Sequence, residues 1–235
     1  MKLVGITGGI CTGTSTVVEY IEDKGFSVVK KKEVWQFLHS IRRFAKYNIP
    51  VDIFTNEKLR TLVKPYIVEY IKTRQNFFRL ACKSVLFIDL PFLFECGLEE
   101  YFTHTIVVTC GPKTQEERIH KKYSTASSKP EKYDESRTIH QIMEVVETEM
   151  NIAEKRKKCT YVIDNNKGVE NTYSQLDSLL YKYYKYSGFY IAIICISITA
   201  IVLPVLIKYK EKASEISKAI NPLIEKIKAR ITKYG

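Results

Sequence analysis

Residues 3–16 read LVGITGGICTGTST, and no other segment constrains the fold as tightly. Leu3 to Thr7 is short, apolar and β-branched, as a buried strand is. Gly8, Gly9 and Gly13 follow, then Ser15, Thr16 and a helix-forming stretch over 17–22. A strand that enters a helix through a glycine-rich turn can close its backbone N–H groups round a phosphate. Glycine reaches positive φ at no steric cost, and the helix start presents orphan donors. The pattern G-x-x-x-x-G-K-[ST] is met at Gly8, Gly13 and Ser15, but Thr14 stands where the lysine belongs. Two readings stay open at this point: a phosphate loop without its lysine, or a glycine-rich turn with no ligand.

Further apolar runs recur along the chain. They are Phe26–Val29, SVLFID at 84–89, HTIVVT at 104–109 and YVID at 161–164. Helical stretches are expected between them: 33–47, 58–79 with a break at Pro65, 112–123, and a long polar helix over 134–157. A loop is expected at 124–130. Strands alternating with helices make a parallel sheet covered on both faces, so the fold class is α/β, a three-layer α/β/α arrangement with five parallel strands. Such sheets bind ligands at the carboxyl ends of their strands, where Gly8–Ser15, Asp89 and Asn165 all fall.

The net charge is +11, from 37 Lys+Arg against 26 Asp+Glu. Residues 208–235 alone carry eight basic and three acidic side chains. A local excess of this kind argues against a nucleic-acid-binding face on the main domain. The six cysteines show no C-x-x-C and no zinc-like spacing, and the four histidines form no spaced pair. Reduced, mostly buried thiols are expected.

Residues 187–207, SGFYIAIICISITAIVLPVLI, contain no charged side chain. Tyrosines and lysines precede them, and Lys208, Lys210 and Lys212 follow. The length matches a hydrocarbon core of roughly 30 Å, and the flanks match an interfacial belt, so a transmembrane segment is expected here; the alternative is a buried core helix. Beyond it Ile216, Ile220, Leu223, Ile224, Ile227 and Ile231 share one helical face, with basic residues largely off it. That is a basic amphipathic tail suited to an anionic membrane surface, or otherwise a solvated helix or coiled-coil partner. Met1-Lys2 runs straight into the first strand, so no export signal is expected and the folded domain should be cytosolic.

Four segments resemble dephospho-coenzyme A kinases: VGITGGICTGTST, FIDLPFLFECGLEE at 87–100, RTIHQI at 137–142 and YVIDNNKGVENTYSQLDSLL at 161–180. The resemblance runs from Met1 to about Tyr183. It implies a P-loop kinase domain over 1–183, ahead of the membrane segment 187–207 and the tail 208–235. It also implies ATP and Mg²⁺ as cofactors, and dephospho-CoA as the substrate phosphorylated at its ribose 3′-hydroxyl. By position, the loop residues Gly8, Gly9, Cys11, Thr12, Gly13, Thr14, Ser15 and Thr16 would hold the ATP phosphates, with Ser15 on the metal. Asp89 and Arg137 would serve catalysis, Arg118 would face phosphates, and Asn165 would lie near adenine. The departures are specific. Thr14 replaces the loop lysine, Lys30 and Lys32 replace two aspartates of the family's V-I-D-A-D-E-I, and Lys64 replaces a histidine before Pro65. Lys30, Lys31 or Lys32 could supply the missing positive charge from a second position, or form a solvated run. A degenerate, membrane-bound nucleotide- or CoA-binding protein is the alternative to an active kinase.

Overall fold

A computed structural model describes residues 1–124 and 139–234, with the side chains of 124, 139–141, 144, 185–195, 219 and 223–234 outside the description. The elements in chain order are β1 (Lys2–Gly8), α1 (Thr14–Asp23), β2 (Ser27–Val29), α2 (Lys31–Ser40), α3 (Ile49–Thr55), α4 (Glu57–Leu80), β3 (Val85–Asp89), β4 (His104–Thr109), α5 (Pro112–Ser124), α6 (Ile139–Thr148), α7 (Ile152–Lys158), β5 (Tyr161–Asp164) and α8 (Val169–Tyr234). The chain divides into two compact units, Met1–Ser187 and Gly188–Gly235.

In the first unit the strands form one sheet in the order β2-β3-β1-β4-β5, and every pairing is parallel. Lys2 pairs with Val85 and Ile6 with Asp89, so β1 and β3 start together and β1 runs on past the end of β3 to Gly8. Period-two alternation sends side chains to two separate cores. Leu3, Leu86, Ile88 and Val107 face one layer, built by α2, α3 and α4 through Val34, Leu38, Ile53, Val63 and Ile67. Val4, Ile6, Phe87, Ile106 and Ile163 face the other, built by α1 and the start of α8 through Val17, Ile21, Leu176 and Tyr183. Two buried faces require apolar strands throughout, which is why these runs read as continuous rather than alternating.

Three helix expectations are corrected. The helix through Pro65 does not break there: α4 is continuous from Glu57 to Leu80. Proline forfeits one backbone bond, but Val63, Ile67 and Ile71 bury on one face across that point and hold the turns in register. The stretch expected to be helical over 33–47 ends at Ser40 and passes into a short 3₁₀ turn at Arg42–Phe44, with fully buried Phe44 as its anchor. The helix expected over 134–157 is two helices. Asn151 interrupts it, its side chain accepting from the Ala153 N–H to cap α7. The part of that expectation over 134–138 lies outside the described residues, as does the loop over 125–130.

In the second unit α8 continues as helix through Pro204 and Pro222. Among the described residues no helix is long and apolar enough to cross a membrane. The expected span falls partly on 187–195, whose side chains lie outside the described residues. The remainder, 196–207, is too short at 1.5 Å per residue to reach across roughly 30 Å.

Candidate active site

The turn between β1 and α1 is built as an anion cradle. Gly13, at the cap of α1, has φ +99°, and the α1 start has no side-chain cap. Its first N–H groups therefore face the loop interior without a competing side chain. A Cβ on Gly13 would lie 2.0 Å from Asn165 Nδ2, so only glycine fits both the conformation and the space. Cys11 also adopts positive φ, at 57°. Buried Thr12 closes the turn, donating from Oγ1 to the Gly9 carbonyl at 2.8 Å.

Residues from distant elements brace this turn. Asn165, just past β5, donates from Nδ2 to the Thr12 carbonyl at 2.8 Å, and Thr172 Oγ1 donates to Asn165 Oδ1 at 2.8 Å. Arg118 on α5 donates to the carbonyls of Thr12 (3.3 Å) and Asn165 (2.9 Å). Gln115 donates to the Ile10 carbonyl at 2.8 Å.

The loop opens on a cavity of about 290 Å³. Gly8, Gly9, Cys11, Gly13, Thr14, Ser15 and Arg118 line it from the loop side. Lys31, Lys32, Trp35, Pro50 and Phe54 line it from α2 and α3, and Glu149 from the far end of α6. Of the residues singled out from sequence, Thr12, Thr16, Asp89 and Asn165 do not line the cavity; Thr12 and Asn165 support the loop from beneath, and Asp89 lies buried at the end of β3. Arg137 lies outside the described residues. The aromatic wall of Trp35 and Phe54 and the carboxylate of Glu149 had no motif to mark them.

Asp89 ends β3 and is 2% exposed. Burial pushes its carboxyl up to about 6, against the opposing pull of the Lys31 charge and the Lys31 backbone N–H that donates to it. Its Oδ1 has no hydrogen-bond partner. Glu33 on α2 is already engaged: it accepts the Lys30 N–H at 3.1 Å and pairs with Arg74. The three consecutive lysines diverge. Lys30 pairs with Glu22 at 2.6 Å, Lys31 Nζ donates to Ser15 Oγ at 3.2 Å, and Lys32 lines the cavity.

Beside the cavity lies a buried charge cluster. Lys155 is fully buried, with Nζ 2.8 Å from Glu95 Oε1 and 3.8 Å from Glu149 Oε2. The Glu95 contact is an ion pair off hydrogen-bond alignment. Burial, with the nearby Glu95 charge, pushes Glu149 up to about 7, while Lys155 and the Ile10 backbone N–H oppose the rise. Glu149 thus reaches the loop itself and ties α6 to it.

Mg²⁺ takes hard oxygen ligands and leaves most of its shell to phosphates and water. The exposed Ser15 hydroxyl, second residue of α1 and on the cavity wall, is a donor of that class, and it fits. Among the described residues no group of three His, Cys, Asp or Glu could hold a metal unaided.

A parallel sheet with a glycine loop running from its first strand into its first helix, over a cavity lined by cations, with a buried carboxylate at the end of β3, defines the class: a P-loop phosphotransferase. The profile of the CoaE dephospho-CoA kinases matches residues 42–171. The chain belongs to the dephospho-CoA kinase family. That match begins beyond Thr14 and Lys30–Lys32, the positions at which the chain departs most. A dephospho-CoA kinase of Listeria monocytogenes is 26% identical over 209 residues, 78% of this chain and 98% of that protein. One from Oceanobacillus iheyensis is 28% identical over 205 residues, 77% of this chain and 97% of that protein. Among solved structures, TT1252 from Thermus thermophilus shares the fold with a TM-score of 0.56 at 20% identity, over 77% of this chain and 97% of that one.

Proposed function

We propose that the chain transfers the γ-phosphoryl group of ATP to the ribose 3′-hydroxyl of dephospho-CoA, the last step of coenzyme A synthesis. The observation that carries this reading is the cavity, which joins a phosphate cradle at Gly8–Ser15 to an apolar wall at Trp35, Pro50 and Phe54. One side suits a triphosphate, the other a flat nucleoside.

In the transfer the 3′-oxygen forms a bond to γ-phosphorus and the bridging bond to the β-phosphate breaks, releasing ADP. The hydroxyl proton must go to a base. Asp89 is the carboxylate for this step: it sits at the carboxyl end of β3, keeps one oxygen unpartnered, and is held up to about 6, near the range where a base works at neutral pH. The N–H groups of the α1 start hold the phosphates in line. Arg118 and Asn165 both donate to the Thr12 carbonyl, so the N–H groups keep their aim when the anion enters. Mg²⁺ held by Ser15 would neutralise charge on the phosphate oxygens. ADP release with dephospho-CoA as acceptor tests the reading, with CoA, whose 3′-position is already phosphorylated, as the control. Equal ADP release with both would sink it.

Membrane attachment through 187–207, with the kinase unit in the cytosol, is part of the same reading. It is supported by the uncharged run and by Ile196, Ile201, Leu203 and Val205, each more than half exposed. Flotation of the full chain with vesicles tests it; a protein left at the bottom of the gradient, or one stripped from vesicles by carbonate, rules it out.

A further inference from the structure

We infer that Lys31 is the phosphate-contacting cation of this site, carrying from the start of α2 the charge that Thr14 lacks in the loop. The inference rests on the phosphotransferase reading above and concerns which residue completes it.

The sheet order explains how the charge gets there. In the order β2-β3-β1, the segments leaving β1 and β2 emerge at the same edge, one strand apart. Lys31 is the first residue of α2, directly after that exit, as Ser15 is the second residue of α1 after the other. The two side chains meet, Lys31 Nζ donating to Ser15 Oγ at 3.2 Å. Both line the cavity with Gly8, Gly9, Gly13 and Thr14. An anion seated on the α1 start therefore finds the ammonium already beside it. The hydroxyl has lone pairs enough to accept from Lys31 and still ligate a metal.

The neighbouring lysines lack this arrangement. Lys30 points to Glu22 at 2.6 Å, outside the cavity. Lys32 lines the cavity but is exposed. Among the described residues Lys31 forms no ion pair, so its charge is not consumed by a carboxylate at salt-bridge distance. Its backbone is held, because the Lys31 N–H donates to buried Asp89 and Glu33 accepts the N–H of Lys30 one residue before. A lysine ammonium on a four-carbon stem tolerates a change of origin as long as its head reaches the same oxygens.

The test uses the full chain and reads both nucleotide binding, by calorimetry with Mg²⁺-ADP, and turnover of dephospho-CoA. Lys31→Met should lower kcat/KM for ATP about 10²-fold, as loss of one preorganised charge donor does. Lys31→Arg should recover part of the loss, showing that the fold survives at this position. Lys30→Met, which breaks only an exposed pair, should stay within about twofold. Restoring the loop lysine, Thr14→Lys on the Lys31→Met background, should regain about tenfold or more. Unchanged binding and turnover in Lys31→Met, or an equal loss in Lys30→Met, overturns the inference while leaving the kinase reading intact. Lys31-dependent ADP binding in a protein that makes no CoA supports the inference and fails the kinase reading instead.

Discussion

Asn165 donates from its side-chain amide to the carbonyl of Thr12 at 2.8 Å, and the same amide occupies the space a side chain at Gly13 would need. The end of the last strand thus fixes the loop after the first. Gly13→Ala should fail on both counts: a non-glycine residue at φ +99° costs about 1–3 kcal/mol of strain, and the Cβ displaces Asn165. A lowered melting temperature together with lost ADP binding is the expected result. Asn165→Ala leaves the backbone free of strain, so it should weaken nucleotide binding by roughly tenfold with a smaller loss of fold stability.

Asp89 links activity and stability in opposite directions. As the base it must be ionised, so kcat/KM should rise as pH climbs through about 6 and level above it. Asp89→Asn should cut the rate by roughly 10²–10⁴ and flatten that rise. For folding the sign is reversed. The folded carboxyl takes up a proton more readily than the unfolded one, so its stabilisation is fully present below pH 3.8 and is lost as pH rises to about 6. Above pH 6 the ionised, buried group costs up to about 3 kcal/mol. Asp89→Asn should therefore raise the melting temperature at pH 7.5 and change it little at pH 4.

The cluster Lys155–Glu95–Glu149 should be intolerant of losing its cation. Lys155→Met leaves two nearly buried carboxylates unpaired, a change worth roughly 3–5 kcal/mol. Glu149 is raised to about 7, so at pH 5 it binds a proton and the repulsion falls away. Urea unfolding of the variant should show the larger deficit at pH 8 and the smaller at pH 5. Equal deficits would mean that packing, not charge, holds Lys155 in place.

The sheet was legible because its strands bury both faces. The runs at 3–7, 84–89, 104–109 and 161–164 are dominated by apolar, β-branched residues rather than alternating, and glycines mark where the first one turns. Pro65 misled because a local rule about backbone donors says nothing of the buried stripe Val63–Ile67–Ile71 that overrides it. Lys30, Lys31 and Lys32 are equivalent as a string; only the start of α2 at Lys31 separates the one facing Glu22 from the one facing Ser15. Lys155 sits in the run EKRKK, which reads as a solvated face, while its partners lie on the β3–β4 connection and at the end of α6. No spacing rule joins Glu95 to Lys155, and Glu149, although close in sequence, lies across the break at Asn151 that separates α6 from α7. Glu149 and Trp35 were missed for the same reason: each belongs to the site through tertiary position alone.

Without its lysine, this loop should still support transfer to dephospho-CoA. The most direct measurement incubates the purified full chain, in detergent or vesicles, with ATP, Mg²⁺ and dephospho-CoA, and identifies the product by mass and by ³¹P NMR. The expected product is CoA bearing its new phosphate on the ribose 3′-oxygen, with ADP formed in equal amount. Nucleotide bound by the protein while dephospho-CoA is recovered unchanged would contradict it.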